Sequence, residues 1–333
     1  MTKDRYRWFA AVSIFSGRCL ALLVAGAMAS PALVTAQALC TRPVRDAIPL
    51  LESMEASWES VSDYTAQLLK SERFVDGTIT TERASVTFRK PNQLHFRVLE
   101  GAHAGAELLF PKPGTDDVIL ARPGGVSGTL AGFLIKVPGI GSLVPYEFAL
   151  DDDRLMAGQH HPVTASTIAG MLHLVAANLR VAAMREEGAV CFHPSEPIEG
   201  SRAIKLEVLL PSDAGIWHTV SKGETVQSIS SDYGQDPHVV FYNNASIHAK
   251  DALSAGDQLF VPRYYAPRAL LWVSEAIKLP VKLQIFDVEN RLYEDYTNAE
   301  LRLDVGLGDE HFDPVLHGFP AAAASDRETV EAR

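Results

Sequence analysis

The sequence predicts an α+β protein: an antiparallel sheet with helices packed on one side. Three observations lead there. Runs of apolar–polar alternation outnumber helical stretches, the links between them are short and turn-rich, and two long segments carry the three- and four-residue apolar spacing of an amphipathic helix. The chain has 333 residues, 47% apolar and 21% charged. These fractions match globular domains and exclude a disordered, collagenous or coiled-coil chain, and the length suits about two domains.

The first element is an address. Lys3, Arg5, Arg7 and Arg18 precede an apolar stretch from Cys19 to about Ala29, and Ala36-Gln37-Ala38 supplies a small-x-small cleavage pattern. Residues 1–38 therefore read as a cleaved secretory signal. A membrane anchor is the rival reading, but Ser30, Pro31 and Thr35 interrupt a run that would need about 20 apolar residues to span. A lipoprotein is the third, with Leu39 an unsuitable neighbour for Cys40. Cleavage leaves 26 basic and 40 acidic residues, a net charge of −14 against −11 for the whole chain. With so acidic a balance and no basic block, neither nucleic acid nor an anionic membrane surface is an expected partner. Of three cysteines, Cys40 and Cys191 remain. An oxidising compartment favours a disulfide between them, the alternative being two separate buried thiols.

The body begins with a helix over Val44–Ala66, where Ile48, Leu51, Met54, Trp58 and Val61 share a face. Alternation follows: Ala84, Val86 and Phe88, then Leu94, Phe96 and Val98, with turn signals at Asp76-Gly77 and Lys90-Pro91-Asn92. Glu107–Phe110 and Asp117–Ala121 are further strands, and Leu130–Pro145 is an apolar, Gly-rich connection. A second helix starts near Thr164, a candidate cap, and runs to about Glu187. Strands follow at 189–192, 203–210, 269–277, 281–287, 291–296 and 300–304, and the tail 320–333 reads as disordered.

One stretch, 216–262, differs from its surroundings. It reads Trp217-His218-Thr219-Val220-Ser221-Lys222-Gly223-Glu224-Thr225-Val226, then Tyr233-Gly234, Tyr242-Asn243-Asn244 and Ala255-Gly256-Asp257-Gln258-Leu259-Phe260-Val261-Pro262. Gly223 permits a sharp turn, Thr225 and Asp236-Pro237 open helices, and Val220, Val226, Ile229, Val240, Leu259 and Val261 supply a small core. The stretch resembles a LysM module, departing from the family where Ala255 replaces the usual Pro and where 245–253 is slightly long. The resemblance implies a βααβ fold that binds N-acetylglucosamine glycans such as peptidoglycan. Its groove maps to Gly223, Glu224, Thr225 and Val226, and to Asn244, Ala245, Ser246 and Ile247. The competing reading is that these residues make only the turns and caps of the fold. The module would sit at a hairpin tip of one host domain, 40–215 plus 263–319, where insertions are tolerated.

The host resembles domain-of-unknown-function family 1571. The carrying residues are Tyr64-Thr65-Ala66, Lys70-x-Glu72-Arg73, His161-Pro162-Val163-Thr164, Leu279-Pro280-Val281-Lys282-Leu283, Phe286-Asp287, Leu292-Tyr293-Glu294-Asp295-Tyr296-Thr297 and Phe312-Asp313-Pro314. That family is similar to the LolA/LolB lipoprotein carriers. The similarity implies a half-open antiparallel barrel with covering helices and an apolar cavity for a lipid or lipoprotein acyl chain. Lining residues would be Val86, Phe88, Leu94, Phe96, Val98, Leu108 and Phe110, whose other reading is ordinary core.

Catalytic patterns do not emerge: there is no G-x-S-x-G, H-E-x-x-H or P-loop. His160-His161 follows Asp151-Asp152-Asp153, but adjacent histidines seldom face one ion, so a loop with satisfied or exposed rings is expected and no metal or cofactor. Glu224 has no evident carboxylate partner for glycoside hydrolysis. The expectation is therefore a non-enzymatic, exported periplasmic protein, held on peptidoglycan and binding lipid. A wall-associated scaffold that binds protein is the alternative, and an unrecognised wall hydrolase is the third class.

Overall fold

The computed structural model describes residues 42–124, 146–150, 152, 155, 159–244 and 253–320. The expected signal at 1–38, Cys40, the 130–145 connection, glycan-site residues Ala245, Ser246 and Ile247, and the tail beyond Pro320 lie outside them.

A short strand β1 (Arg42–Pro43) and a 3-10 turn lead into helix α1 (Ile48–Ser60). Six strands follow as a meander: β2 (Asp63–Arg73), β3 (Ile79–Arg89), β4 (Gln93–Glu100), β5 (Glu107–Phe110), β6 (Val118–Arg122) and β7 (Glu147–Ala149). Helix α2 (Ile168–Arg185) precedes the hairpin β8 (Ala189–Ile198) and β9 (Ser201–Leu209). A βααβ unit comes next: β10 (Gly215–Thr219), α3 (Val226–Tyr233), α4 (Pro237–Tyr242) and β11 (Gln258–Pro262). Strands β12 (Arg268–Ser274), β13 (Pro280–Phe286) and β14 (Leu292–Leu303) complete the order.

Twelve strands form one antiparallel sheet in the order β1-β8-β9-β12-β13-β14-β2-β3-β4-β5-β6-β7. Among the described residues its edges, β1 and β7, do not pair, so the sheet is open. Its centre joins the ends of the body. β14 pairs with β2, Glu294 opposite Glu72 and Tyr296 opposite Lys70, so the last long strand completes the first. β9 and β12 pair from Leu209↔Arg268 inward, and the 215–262 unit occupies the tip of that hairpin as its own two-stranded sheet.

Period-two patterning decides which face is buried. Tyr64, Ala66 and Leu68 join Ala84, Val86, Phe88, Leu94, Phe96 and Val98 in one core beneath α1 and α2. Leu270, Trp272 and Val281 point the other way and form a small cluster with Ala203. Within the βααβ unit, the six residues expected as its core form a separate cluster.

The strands expected at 291–296 and 300–304 are one, Leu292–Leu303, and that expected at 269–277 ends at Ser274. Two helix boundaries also differ from the sequence reading. The first helix ends at Ser60 rather than Ala66, because Tyr64 and Ala66 belong to an eleven-residue strand paired along its length with β3. Strand pairing outweighs the helical spacing that Val61 extends. The second helix is capped by Thr167, not Thr164: Gly170 N donates to Thr167 Oγ1 at 3.1 Å, while Thr164 lies in a preceding 3-10 turn. Gly170 allows that turn to pack close, since a Cβ there would meet Ala165 O at 2.2 Å.

A cleft between helix α2 and the inserted unit

Helix α2 lays one face toward the βααβ unit without filling the space between them. Ala169, Gly170 and Ala177, with Ala165 of the preceding 3-10 turn, are small, and the gap they leave is a cleft of about 890 Å³. One wall is α2, with Leu174 and Val181. The other is the unit, with Ile216, Tyr233 to Asp236, and Val261 to Arg263. Leu283 and Tyr296 form the floor. Both the volume and the mixture of apolar wall with a few convergent polar groups are those of a small-molecule site.

The polar end is a network centred on Glu294, a fully buried carboxylate on β14. Oε1 of Glu294 lies 2.6 Å from His160 Nδ1 and 3.4 Å from His161 Nε2, and it accepts the Tyr265 hydroxyl. His161 Nδ1 faces Asp236 Oδ2 of the inserted unit at 3.1 Å. His161, Asp236, Tyr265 and Tyr296 line the cleft, and Glu294 stands behind them. Burial opposes the charge on His161, but Glu294 and Asp236 together outweigh it and push the imidazole up to about 10. Burial likewise opposes ionisation of Glu294, and the facing histidines hold it well below the usual carboxylate range. On the far side of Tyr296, whose hydroxyl donates to Glu72, buried Lys70 lies 3.3 Å from Glu72 and 3.5 Å from Glu82.

The unit is fastened to the host rather than merely tethered. Val239 of α4 belongs to the host core. His238 packs on His160 at 3.8 Å between ring centroids, and burial with the adjacent His160 pushes the His238 imidazole down to about 3. Tyr242 donates to Asp287 Oδ2 at 2.6 Å, and Asp287 also holds Arg291 at 2.8 Å. Just after β11, Arg263, which lines the cleft, and Tyr264 both bind Glu187 beyond the end of α2.

The sequence-predicted sites fall elsewhere. Val86, Phe88, Leu94, Phe96, Val98 and Phe110 are buried and Leu108 is partly buried in the main core, and none lines the cleft. Leu51, Met54 and the ring cluster of Trp58, Tyr64 and Phe88 occupy the space beside them. On the inserted unit, Gly223 turns with φ +90°, Glu224 binds His218 and the Ser221 amide, and Thr225 makes a reciprocal cap with Ser228. Val226 is core. The Asn244 amide donates to the Val240 and Phe260 carbonyls and accepts from Phe260 N, so its polar groups are spent on the fold. Cys191 is buried on β8. His160 and His161, expected on a loop with satisfied or exposed rings, are held inside the network around Glu294. Sequence reasoning missed Glu294, Asp236 and Tyr265 as a group. The one signal was the Tyr293-Glu294-Asp295-Tyr296 run, in which Glu294 and Tyr296 share a face by alternation; a register shift at Tyr293 brings that ring into the same core.

The family model for proteins of unknown function DUF1571 matches residues 61–224. This match ends inside the inserted unit and stops before β12, short of the 44–314 span that the motifs suggested. No curated protein matches the chain. Several solved structures are similar to the chain. An uncharacterized conserved protein from Thermus thermophilus is 8% identical at a TM-score of 0.37, over 80% of this chain and 92% of that one. The lipoprotein LppX of Mycobacterium tuberculosis is 11% identical at 0.37, over 80% and 98%. A LolA superfamily protein from Nitrosomonas europaea is 11% identical at 0.30, over 80% and 97%. Among the described residues, no helix is long and apolar enough to cross a membrane.

Proposed function

We propose that the cleft binds one amphipathic ligand, a lipid or the acyl group of a lipoprotein, in an exported periplasmic protein. The observation that carries this reading is the shape and chemistry of the 890 Å³ space: apolar along Leu174, Val181, Ile216 and Leu283, and polar where His161, Asp236 and Tyr265 converge. An acyl chain would lie along the first part and a headgroup at the second. The activity is binding without chemical turnover. The finer part of the proposal is that the 215–262 unit acts as a LysM module and holds the protein on peptidoglycan. In support stand the βααβ order, the turn at Gly223 and the cap at Thr225, all in the sequence positions the resemblance calls for.

The test is native mass spectrometry of the chain from residue 39 onward, made in a periplasm, followed by solvent extraction. A stoichiometric acyl-containing species is expected. Ala177→Trp, an exposed position that lines the cleft, should abolish it while melting at the temperature of the ligand-stripped wild type. A ligand-free mass that persists after phospholipid and acylated peptide are offered would overturn the lipid reading. Co-sedimentation with purified sacculi, competed by N-acetylglucosamine oligomers, is expected for the anchor, and its absence would overturn that part alone.

A further inference from the structure

Far from the cleft, the β4–β5–β6 end of the sheet meets the C-terminal segment. His95 of β4 and Glu107 of β5 stand on neighbouring strands, where β4 and β5 pair as Phe96↔Leu108 and Arg97↔Glu107. His317 arrives from the segment after β14. His95 Nε2 lies 2.9 Å from Glu107 Oε1, and His317 Nδ1 lies 3.3 Å from the same oxygen. The three donor atoms lie within 4.8 Å of one another. The side chains are 14%, 7% and 19% exposed for His95, Glu107 and His317, sheltered yet reachable from solvent.

The surroundings fix two of these donors. The second ring nitrogen of His317, Nε2, is 3.0 Å from the His311 carbonyl, which sets the tautomer that leaves Nδ1 a lone pair. Arg122 bonds the other carboxylate oxygen of Glu107 and also donates to the His317 carbonyl at 3.2 Å. Oε1 is thereby left as a single inward donor, and the strand holding it is tied to the segment carrying His317. Arg122 itself rests on the Phe319 ring at 5.3 Å.

We propose that His95, Glu107 and His317 form a zinc-class metal site that clamps the C-terminal segment to the sheet. Two imidazoles and one carboxylate select a borderline ion such as Zn²⁺ over Ca²⁺ or Mg²⁺, which take oxygen. With bonds of about 2.0–2.1 Å, tetrahedral ligands stand roughly 3.3 Å apart. The observed 2.9 and 3.3 Å separations to Glu107 are close to that spacing, and the two imidazole donors, within 4.8 Å of each other, come to it by moving together by at most about 1.5 Å. Three protein ligands leave a fourth position for water.

The experiment is titration of ZnCl₂ into the chelator-treated chain from residue 39 onward, with Co²⁺ absorption as an independent reading of ligand geometry. One equivalent should bind, give a tetrahedral Co²⁺ spectrum and raise the melting temperature. His317→Ala, at a partly exposed position, and Glu107→Gln should each lose that equivalent, and His317→Ala should also lose the metal-dependent thermal shift. His193→Ala is the control, because Cys191, His193 and Glu207 form the other described cluster with metal-like spacing; it should retain the site. No stoichiometric binding, or binding undiminished in both His317→Ala and Glu107→Gln, would overturn the proposal.

Discussion

Glu294→Gln is the sharpest probe of the polar end of the cleft. The substitution keeps the shape of the side chain and removes its charge. In the wild-type protein that charge faces His160 at 2.6 Å and His161 at 3.4 Å, with no solvent access at Glu294. Removing one partner of a buried pair costs about 3–5 kcal/mol. Gln still accepts hydrogen bonds through one oxygen and His161 keeps Asp236, so the lower end, about 3 kcal/mol, is expected. For a body of this size that corresponds to a fall in melting temperature of roughly 6–12 °C. The pH dependence separates charge from packing. His161, raised from 6.5 to about 10, contributes its full stabilisation below pH 6.5 and loses it as pH rises towards 10. Glu294, whose folded pKa is depressed, contributes above its unfolded value of 4.5 and loses it as pH falls towards the folded value. The gap between wild type and variant should therefore be widest from about pH 5 to 6.5 and narrow on both sides. Thermal unfolding by circular dichroism across pH 4–10 reads it. A variant that melts within 2 °C of wild type at pH 6, or a gap that stays flat across the range, would refute the reasoning.

Three further outcomes are expected. Tyr242→Phe removes a charge-assisted hydrogen bond to Asp287, worth about 1.5–3 kcal/mol; hydrogen exchange should accelerate over 226–242 while β2 and β3 stay protected. Asn244→Ala removes three hydrogen bonds, one to Val240 of α4 and two to Phe260 of β11; a loss of about 2–3 kcal/mol, confined to the inserted unit, should appear as proteolytic cutting within 215–262. Asp63→Ala leaves the amides of Val305, Gly306 and Leu307 without their shared acceptor; limited proteolysis should then cut after β14, and cutting at the wild-type rate would contradict that role.

The local character of most elements is written in residue order. Alternation in 84–88 and 94–98 is readable because one face of β3 and β4 is buried and the other is not. The βααβ unit is legible because its turns and caps are made by near neighbours, such as Thr225 with Ser228 and Asp236 with His238. Helix ends were less legible. Val61 fits either pattern, and the pairing of β2 with β3 and β14, the latter more than 200 residues away, makes 63–73 extended.

The candidate site, by contrast, exists only once the chain is folded. The apolar residues of β3, β4 and β5 satisfy any cavity-lining rule, but α1 and the Trp58–Tyr64–Phe88 rings fill the space beside them. The open space formed between α2 and the inserted unit, because small residues on the helix face a unit with its own small core that is fastened at Asp236, His238 and Tyr242. Glu294, His161 and Asp236 are far apart in sequence, and so are His95, Glu107 and His317. Charge and coordination depend on separations of a few ångströms. Residue order along the chain does not encode those separations until the sheet brings its distant strands together.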